Sequence, residues 1–365
     1  MKPATRILAF ILMLCIVMPP LSGCKNRGNT PDNPGESGVE EQENNQVEEE
    51  KKPEATSRLT GLPIDKELAN RRPVAIMINN LKKALPQYGI ANAGIIFEAL
   101  AEGGITRLLA VFEDFEKIEK IGTIRSARPY YLDLAQGIDA IYIHLGGSPA
   151  AYSEISKRKM DSFDYISGAN SGMYWRDKER IRQNGYEHSA FTSGDRIMKR
   201  IRDVKMRTEV SDSYKNIFSF GDSVNAEGRV ASQITVPFSS YKTGFYKYDK
   251  DTEVYLISQY GTAHMDARIG MQLAFKNVFI LYINSYVLKG DKEGRLGMDI
   301  VGSGNGVYLT RGMAYDIKWK KSAHDAPFKL ETPDGNALTI LPGDSYIAIV
   351  PPSAAVKIEA PESEE

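Results

Sequence analysis

Cysteine is nearly absent from this 365-residue chain, which contains only Cys15 and Cys24. Both lie within the first 24 residues, so the body of the protein that follows has no thiol. This excludes a cysteine nucleophile, a cysteine metal site and a disulfide framework from that body. The fold must therefore rest on packing, which a chain of this length can supply.

An excess of charge of one sign is missing as well. The formal net charge is −1, and the acidic residues are concentrated in residues 25–57, which carry nine acidic and four basic side chains. A nucleic-acid-binding domain usually presents a strongly basic surface. We therefore expect no nucleic acid partner.

Several motifs that would indicate a cofactor or a reaction are absent. The chain has no GxxxxGK[ST] or GxGxxG loop for a nucleotide and no GxSxG elbow for a serine hydrolase. His144 and His188 could form a two-histidine site with Glu98 or Asp177, but no HxxxH or HxH spacing supports it. We expect neither a metal nor a cofactor.

A long apolar run of about 20 residues, as a membrane-spanning helix needs, is not found at the N-terminus. A shorter one is present: Lys2 and Arg6 precede the apolar segment 7–18, which leads to the sequence LSGC at residues 21–24. This pattern is typical of a lipoprotein signal peptide, residues 1–23, cleaved between Gly23 and Cys24. An ordinary secretory signal is the alternative.

Cleavage at that point predicts a lipidated Cys24, carrying fatty-acyl chains such as palmitate. Two or more chains are sufficient for stable anchoring. The expected location is the extracytoplasmic face of the cell membrane, with the membrane as a partner through the N-terminal lipid. Residues 24–57 are poor in large apolar side chains and are predicted to be a disordered acidic tether, and residues 356–365 a disordered acidic tail.

Residues 58–222 are predicted to form an α/β domain. Short apolar segments at 73–79, 94–100 and 106–114 are typical of buried strands, and Pro129 at a first helical position predicts a helix that stops at Gly137. Residues 223–355 are rich in short β segments and predict a sandwich or partly open barrel. Within them, GSGNG at residues 302–306 is interpreted as a hairpin turn.

Arg125 and Arg128 lie where a predicted strand gives way to the helix that begins at Pro129. Guanidinium groups bind phosphate or carboxylate in a bidentate manner, so the pair predicts an anion site. The alternative is that they form structural ion pairs with Glu98, Glu102 or Asp133.

Other polar side chains fall at predicted strand ends, where the ligands of α/β proteins usually bind. Candidates for anion binding, with the two arginines above, are Arg107, Ser148 and Arg176; Ser148 is equally suited to capping a helix. Candidates for acid–base roles or ion pairing are Glu98, Glu102, His144, Asp177 and His188.

The stretches EGGITR and RSARPYY, with HLGGSP and YWRD further on, resemble the N-terminal domain of the YerB-like lipoproteins. NVFILY, GSGNGVYLTRG and LPGDSYIAIVP resemble the C-terminal domain of that family. The resemblance implies an exported, lipid-anchored protein of two domains, and it implies no reaction. The chain departs from the family pattern at Asn79-Asn80, at Gly94 and at Glu187-His188, which weakens an enzymatic interpretation.

Two functions remain, beside the third possibility that these polar groups form a structural network and partners bind elsewhere. One is a non-enzymatic envelope lipoprotein that recognises an anionic envelope ligand or an envelope protein through the α/β domain. The other is an enzyme that acts on a phosphorylated envelope substrate, using the arginines to stabilise charge and the acids or histidines to move protons. Burial distinguishes a site from a structural network, because ligand-binding side chains must be partly exposed and incompletely paired.

Overall fold

The computed structural model describes residues 55–361. The predicted signal peptide, Gly23, the lipidation site Cys24 and residues 24–54 of the predicted tether lie outside the described residues. Within residues 55–361, no helix combines the length and apolar character needed to cross a bilayer.

The N-terminal half alternates strands with short helices, as predicted. Its strands are β1 Ala55–Thr56, β2 Pro63–Ile64, β3 Val74–Asn79, β4 Ile95–Leu100, β5 Thr106–Phe112, β6 Ile121–Gly122, β7 Ile141–His144, β8 Ser162–Asp164, β9 Trp175–Arg176 and β10 Ala190–Thr192. Its α-helices are α1 Lys66–Ala69, α2 Pro129–Gln136, α3 Pro149–Lys157, α4 Lys178–Asn184 and α5 Gly194–Asp203. Short 3-10 helices lie at Lys82–Ala84, Ile90–Asn92, Glu102–Gly104, Gly168–Met173 and Tyr186–His188.

Local sequence explains these elements. The apolar, β-branched runs of β3, β4 and β5 are buried along their whole length, as expected of central strands. Helix α2 begins with Pro129 at its first position and ends at Gly137, which matches the prediction. Its apolar face packs on the sheet through Tyr131, Leu132 and Ala135.

The C-terminal half is built almost entirely of strands. They are β11 Ser219–Phe220, β12 Gly228–Val230, β13 Gln233–Pro237, β14 Thr243–Asp249, β15 Val254–Gln259, β16 Thr262–Ala263, β17 Met265–Asp266, β18 Met271–Gln272, β19 Ala274–Phe275, β20 Asn277–Tyr282, β21 Ser285–Val287, β22 Leu296–Met298, β23 Gly302–Thr310, β24 Met313–Lys321, β25 Lys329–Glu331, β26 Thr339–Ile340, β27 Ser345–Val350 and β28 Lys357–Glu359. The predicted fold class, α/β followed by mainly β, is confirmed.

One long sheet runs through both halves in the order β12-β24-β23-β20-β27-β4-β5-β3-β7-β8. The joint between the halves is the parallel pair β27–β4, in which Ile347 lies opposite Phe97. The long sheet continues across the predicted boundary between residues 222 and 223, and residues 55–361 form one compact unit around it.

A second sheet, β16-β15-β14-β13-β28, lies against one face of the long sheet. Ile234 and Ile257 of this sheet share a buried core with Val278 and Ala348 of the long sheet. The two sheets pack face to face around a shared core, as in a sandwich, and the sheets of residues 55–361 do not close into a barrel. The other face of the long sheet is covered in part by α2.

Three local predictions need correction. Ala55–Thr56 of the predicted tether pairs with β2, and Lys357–Glu359 of the predicted disordered tail pairs with β13. The GSGNG segment is not a hairpin turn, because residues 302–306 form the first half of β23 and pair with β24. Trp319 of β24 covers Gly304 so closely that a Cβ there would lie 2.8 Å from the indole nitrogen. Glycine is therefore required at position 304 because a larger side chain would clash with Trp319 on the neighbouring strand.

Candidate anion-binding site

Several charged residues of the N-terminal half gather at one end of the interior strands β3, β4 and β5. Strand β3 ends at Asn79, and Arg107 at the start of β5 lies directly opposite it. The turn Glu102–Gly104 joins β4 to β5 at this same end. Short antiparallel connections therefore bring residues from several strand ends into one place.

Arg107 and Arg128 share a single carboxylate, that of Glu102. Arg107 donates to Glu102 Oε1 at 2.7 Å, and Arg128 donates through Nε to Oε2 at 3.0 Å and through a terminal nitrogen to Oε1. Each guanidinium also donates to a carbonyl, Arg107 to Ser126 at 2.9 Å and Arg128 to Ala127 at 2.7 Å. Burial alone would raise the pKa of Glu102, but the hydrogen bond from Arg128 and the two positive charges lower it to about 2.

Arg125 is less completely paired. Its closest acceptors belong to Glu187, the carbonyl at 3.4 Å and the carboxylate at 3.7 Å, and the Glu187 side chain is 70% exposed. The Arg125 side chain is 18% exposed, while its Nε is buried and has no hydrogen-bond partner. The terminal nitrogens of Arg125 are therefore only weakly paired, and an added anion could bind them.

Positive charge is in excess in the arginine cluster, which we define as Arg107, Arg125 and Arg128. Burial and the charge of Arg128 lower the pKa of Arg107, and burial and the charge of Arg107 lower that of Arg125. After burial, the largest contribution to each lowered pKa is the positive charge of a neighbouring guanidinium group. An anion bound beside Arg125 would offset this positive charge.

His188 lies next to this cluster. The 3-10 turn Tyr186–His188 places its ring so that Asn79 Nδ2 donates to His188 Nδ1 at 2.9 Å. Burial, and then the charge of Arg125, lower the pKa of His188. The imidazole is therefore neutral at neutral pH, with its proton on Nε2.

Glu98 belongs to a different cluster. It is completely buried, and its carboxylate accepts from Lys242 at 2.9 Å, Tyr346 at 2.6 Å, Thr106 at 2.6 Å and Asn80 at 2.8 Å. Lys242 and Tyr346 come from the C-terminal half. Glu98 thus connects the two halves and is not a partner of Arg125 or Arg128.

The other predicted partner, Asp133, also lies apart from the arginine cluster. It accepts from Arg158 at 2.5 Å and contacts His324 Nδ1 at 2.9 Å. Of the three acids considered as partners, only Glu102 binds Arg128, and it also binds Arg107. Glu102 lies in the turn between β4 and β5, next to the start of β5 where Arg107 lies.

His144 and Ser148 have structural roles. His144 is buried, its Nδ1 donates to the Gly146 carbonyl at 2.8 Å, and burial lowers its pKa. Ser148 caps helix α3 by accepting from the Ala151 N–H at 3.1 Å. Neither side chain contacts the arginine cluster.

Arg176 and Asp177 shape the loop that leads to His188. Arg176 donates to the Tyr186 carbonyl at 2.6 Å, and its guanidinium lies over the Tyr186 ring at 4.0 Å. Asp177 caps helix α4 and pairs with Lys120 at 2.6 Å. Among residues 55–361 no group of three histidine or acidic side chains is arranged to hold a metal.

Sequence reasoning missed two residues that matter here. Lys242 follows a serine-rich turn between strands, and nothing in the neighbouring sequence indicates that this lysine is buried in an ion pair. Asn79 was noted only as a departure from a family pattern, and the structure shows it holding His188. Only the spatial pairing of distant segments could reveal either role.

Comparison with known proteins identifies two adjacent family domains. Residues 59–207 match the N-terminal domain and residues 234–347 the C-terminal domain of DUF3048, both described as protein of unknown function. A Bacillus subtilis (strain 168) protein named "Putative lipoprotein YerB" is 32% identical over 306 residues, which covers 82% of this chain and 87% of that protein. The crystal structure of YerB protein from Bacillus subtilis is similar, with a TM-score of 0.71 and 30% identity, and the match covers 83% of this chain and 99% of that one.

Proposed function

This chain belongs to the DUF3048 family, and from that premise we propose that it is a lipid-anchored envelope lipoprotein that binds an anionic ligand at its arginine cluster. The LSGC sequence ending at Cys24 and the name of the Bacillus subtilis relative support the anchor. The wild type should incorporate labelled palmitate, and Cys24→Ala should incorporate none, because the thiol that would carry the lipid is removed. A wild type that takes up no label, or a Cys24→Ala variant that takes up as much as the wild type, would contradict lipid anchoring at Cys24.

The incomplete pairing of Arg125 carries the binding proposal. Arg107 and Arg128 are buried and satisfied by Glu102, as structural arginines are. Arg125 is partly exposed, is opposed only by the solvent-facing Glu187, and has an unpartnered Nε. A phosphate or carboxylate placed there gains charge-assisted hydrogen bonds from a group that is already held in position.

Thermal shift measurements on residues 25–365 test this. We would add phosphate, pyrophosphate and glycerol-phosphate polymer to the wild type and to Arg125→Ala. The anion should raise the melting temperature of the wild type and leave that of Arg125→Ala unchanged. Arg182→Ala is the matched control, since Arg182 is a surface arginine on α4 paired with Glu179. An equal response in wild type and Arg125→Ala, or no response in either, would contradict the proposal.

The same cluster also suits an enzyme that acts on a phosphorylated envelope substrate. A neutral imidazole, His188, lies beside Arg125, and such a group can accept a proton near neutral pH. This function predicts release of phosphate from a phosphate ester, abolished in His188→Ala without loss of ligand binding. Binding without turnover would favour the non-enzymatic function.

A further inference from the structure

A lysine, an asparagine and a glutamate that could react with one another lie together where the two halves meet. Glu98 Oε1 accepts from Lys242 Nζ at 2.9 Å and from Asn80 Nδ2 at 2.8 Å. The amine of the C-terminal half and the side-chain amide of the N-terminal half are therefore neighbours on a single carboxylate oxygen. Asn80 and Glu98 are completely buried and Lys242 is 1% exposed, so bulk water is kept away from all three.

The side-chain carbonyl group of Asn80 is polarised by two amide donors. Gln87 Nε2 donates to Asn80 Oδ1 at 3.0 Å, and Gln259 Nε2 donates to the same oxygen at 2.9 Å. The Gln87 side chain is held in this orientation by His264, whose Nε2 donates to Gln87 Oε1 at 2.8 Å. Two fixed donors on one carbonyl oxygen form an oxyanion hole, which stabilises the negative charge that develops when a nucleophile attacks the carbonyl carbon.

The carboxyl group of Glu98 is placed to move protons between the two nitrogens. Its Oε1 contacts both Lys242 Nζ and Asn80 Nδ2, while its Oε2 is held by the Tyr346 hydroxyl at 2.6 Å. In a dry site, transfer of one proton from the ammonium group to the carboxylate removes both charges. The transfer also produces the neutral amine, which is the nucleophilic form of a lysine.

We propose that Lys242 and Asn80 join in an isopeptide bond that the folded protein forms by itself, with Glu98 as the catalytic residue. Lys242 Nζ attacks Asn80 Cγ, the bond between Cγ and Nδ2 breaks, and Nδ2 leaves as ammonia. Of the three protons on the ammonium group, one stays on the new amide, one passes through Glu98 to the departing nitrogen, and one remains on Glu98. Charge and atoms balance without an oxidant, a reductant or a cofactor.

The bond ties the two halves together covalently in a body that has no cysteine for a disulfide. Residue 80 follows β3 and residue 242 precedes β14, so the cross-link closes a long loop of chain. A cross-link of this kind stabilises the fold mainly by restricting the unfolded chain, and more strongly for longer loops. The proposal is independent of the arginine cluster and of any ligand bound there.

Peptide mapping of the full-length protein tests the bond. The purified protein is denatured, digested with trypsin and measured by mass spectrometry. Trypsin does not cut after an acylated lysine, so the expected species joins residues 72–82, which contain Asn80, to residues 230–247, which contain Lys242. It should be lighter than the two separate peptides by one molecule of ammonia. A wild type that yields the two regions only as separate peptides, with cleavage after Lys242, overturns the proposal.

Variants distinguish this reaction from other losses of ammonia. Lys242→Met and Glu98→Gln should give no linked species, whereas Lys276→Met should link as the wild type does. Lys276 is the matched control because it pairs with Glu253 at 2.6 Å where solvent has access. Ammonia loss confined to residues 72–82 would mean that Asn80 cyclises on its own backbone, which overturns the proposal. A Glu98→Gln variant that links completely overturns the role of Glu98.

Denaturing gel electrophoresis provides a second measurement. The linked wild type retains a closed loop when it is unfolded, so it should migrate differently from Lys242→Met, and equal mobility would contradict the bond. Gln259→Ala keeps the ion pair and removes one donor to Asn80 Oδ1. After a pulse of synthesis, its linked form should accumulate about a hundredfold more slowly than that of the wild type. An unchanged rate would contradict the oxyanion hole.

Discussion

Glu98 and Glu102 are four residues apart in the chain and have opposite surroundings. Glu98 is completely buried, with one cation, Lys242, and three neutral donors around it. Glu102 is partly exposed and is shared by Arg107 and Arg128, with Arg125 nearby. The first cluster is balanced in charge and closed to water, and the second has an excess of positive charge and is open on one side.

The difference shows how the ends of neighbouring strands can provide both an ion pair that stabilises the fold and a cluster suited to binding an anion. A buried pair with every hydrogen bond made has nothing left to offer a ligand, and its effect is to hold the two halves together. A cluster with more cations than carboxylates is stabilised by an added anion. Burial and pairing, rather than residue type, distinguish the two clusters.

The largest effect on stability is expected from breaking the buried ion pair between Lys242 and Glu98. Lys242→Met leaves the Glu98 carboxylate buried without its cation, which should lower the free energy of unfolding by about 3–5 kcal/mol. Urea denaturation measures this, with Lys247→Met on the exposed side of β14 as the control. The double variant Glu98→Gln/Lys242→Met should recover much of the loss. A single-variant loss as small as that of the control would show that the pair does not hold the halves together.

A smaller loss of stability is expected from replacing the arginines, and it should be larger for Arg128→Ala than for Arg125→Ala. Arg128→Ala removes hydrogen bonds to Glu102 and to the Ala127 carbonyl, and should cost about 2–3 kcal/mol. Arg125→Ala removes only long contacts to an exposed residue and should cost less than about 1 kcal/mol. Urea denaturation of both variants measures the difference. Equal losses would mean that Arg125 is as structural as Arg128.

The next largest effect is the loss of stability in acid, as Glu102 between Arg107 and Arg128 becomes protonated. The pKa of Glu102 is lowered to about 2 from 4.5, so its ionised form stabilises the folded state above pH 4.5, and this stabilisation is lost as the pH falls towards 2. Because solvent reaches this carboxylate, we expect about 1–2 kcal/mol near neutral pH. The stability difference between wild type and Glu102→Gln should therefore shrink as the pH falls through this range. A stability difference between wild type and Glu102→Gln that does not change with pH would contradict the lowered pKa of Glu102.

The smallest effect concerns His188. Its folded-state pKa lies below 6.5 because of burial and the charge of Arg125, so the folded state loses stability as the pH falls from 6.5 through that lower value. Arg125→Ala should raise the pKa of His188, as should an anion bound to the wild type. Titration of the His188 ring resonances by NMR measures this. An unchanged His188 titration in Arg125→Ala would show that the two do not interact.

Much of the fold could be predicted from local patterns. The buried strands β3, β4 and β5 follow from continuous apolar runs, and helix α2 follows from its proline start and glycine stop. The GSGNG segment could not be predicted in this way, because its glycines are required by Trp319 on the neighbouring strand. A glycine that serves cross-strand packing has the same local appearance as one in a turn.

The candidate site was predicted only in part. Arg125 and Arg128 were correctly placed between a strand and a helix, yet they do not act as a pair. In extended backbone, residues three apart point to opposite sides, so Arg128 meets Glu102 while Arg125 meets Glu187. His144 and Ser148 are equally polar in sequence, and the structure gives both local structural roles.

The sequence by itself determined where the buried strands β3, β4 and β5 and helix α2 form, and that the body is free of cysteine, because these properties depend on composition and on neighbours in the chain. Tertiary structure alone decided which carboxylate meets which cation and that β27 joins β4 across the two halves. Those pairings bring together segments up to 250 residues apart, and the free energy of burying them depends on surroundings that no local pattern contains.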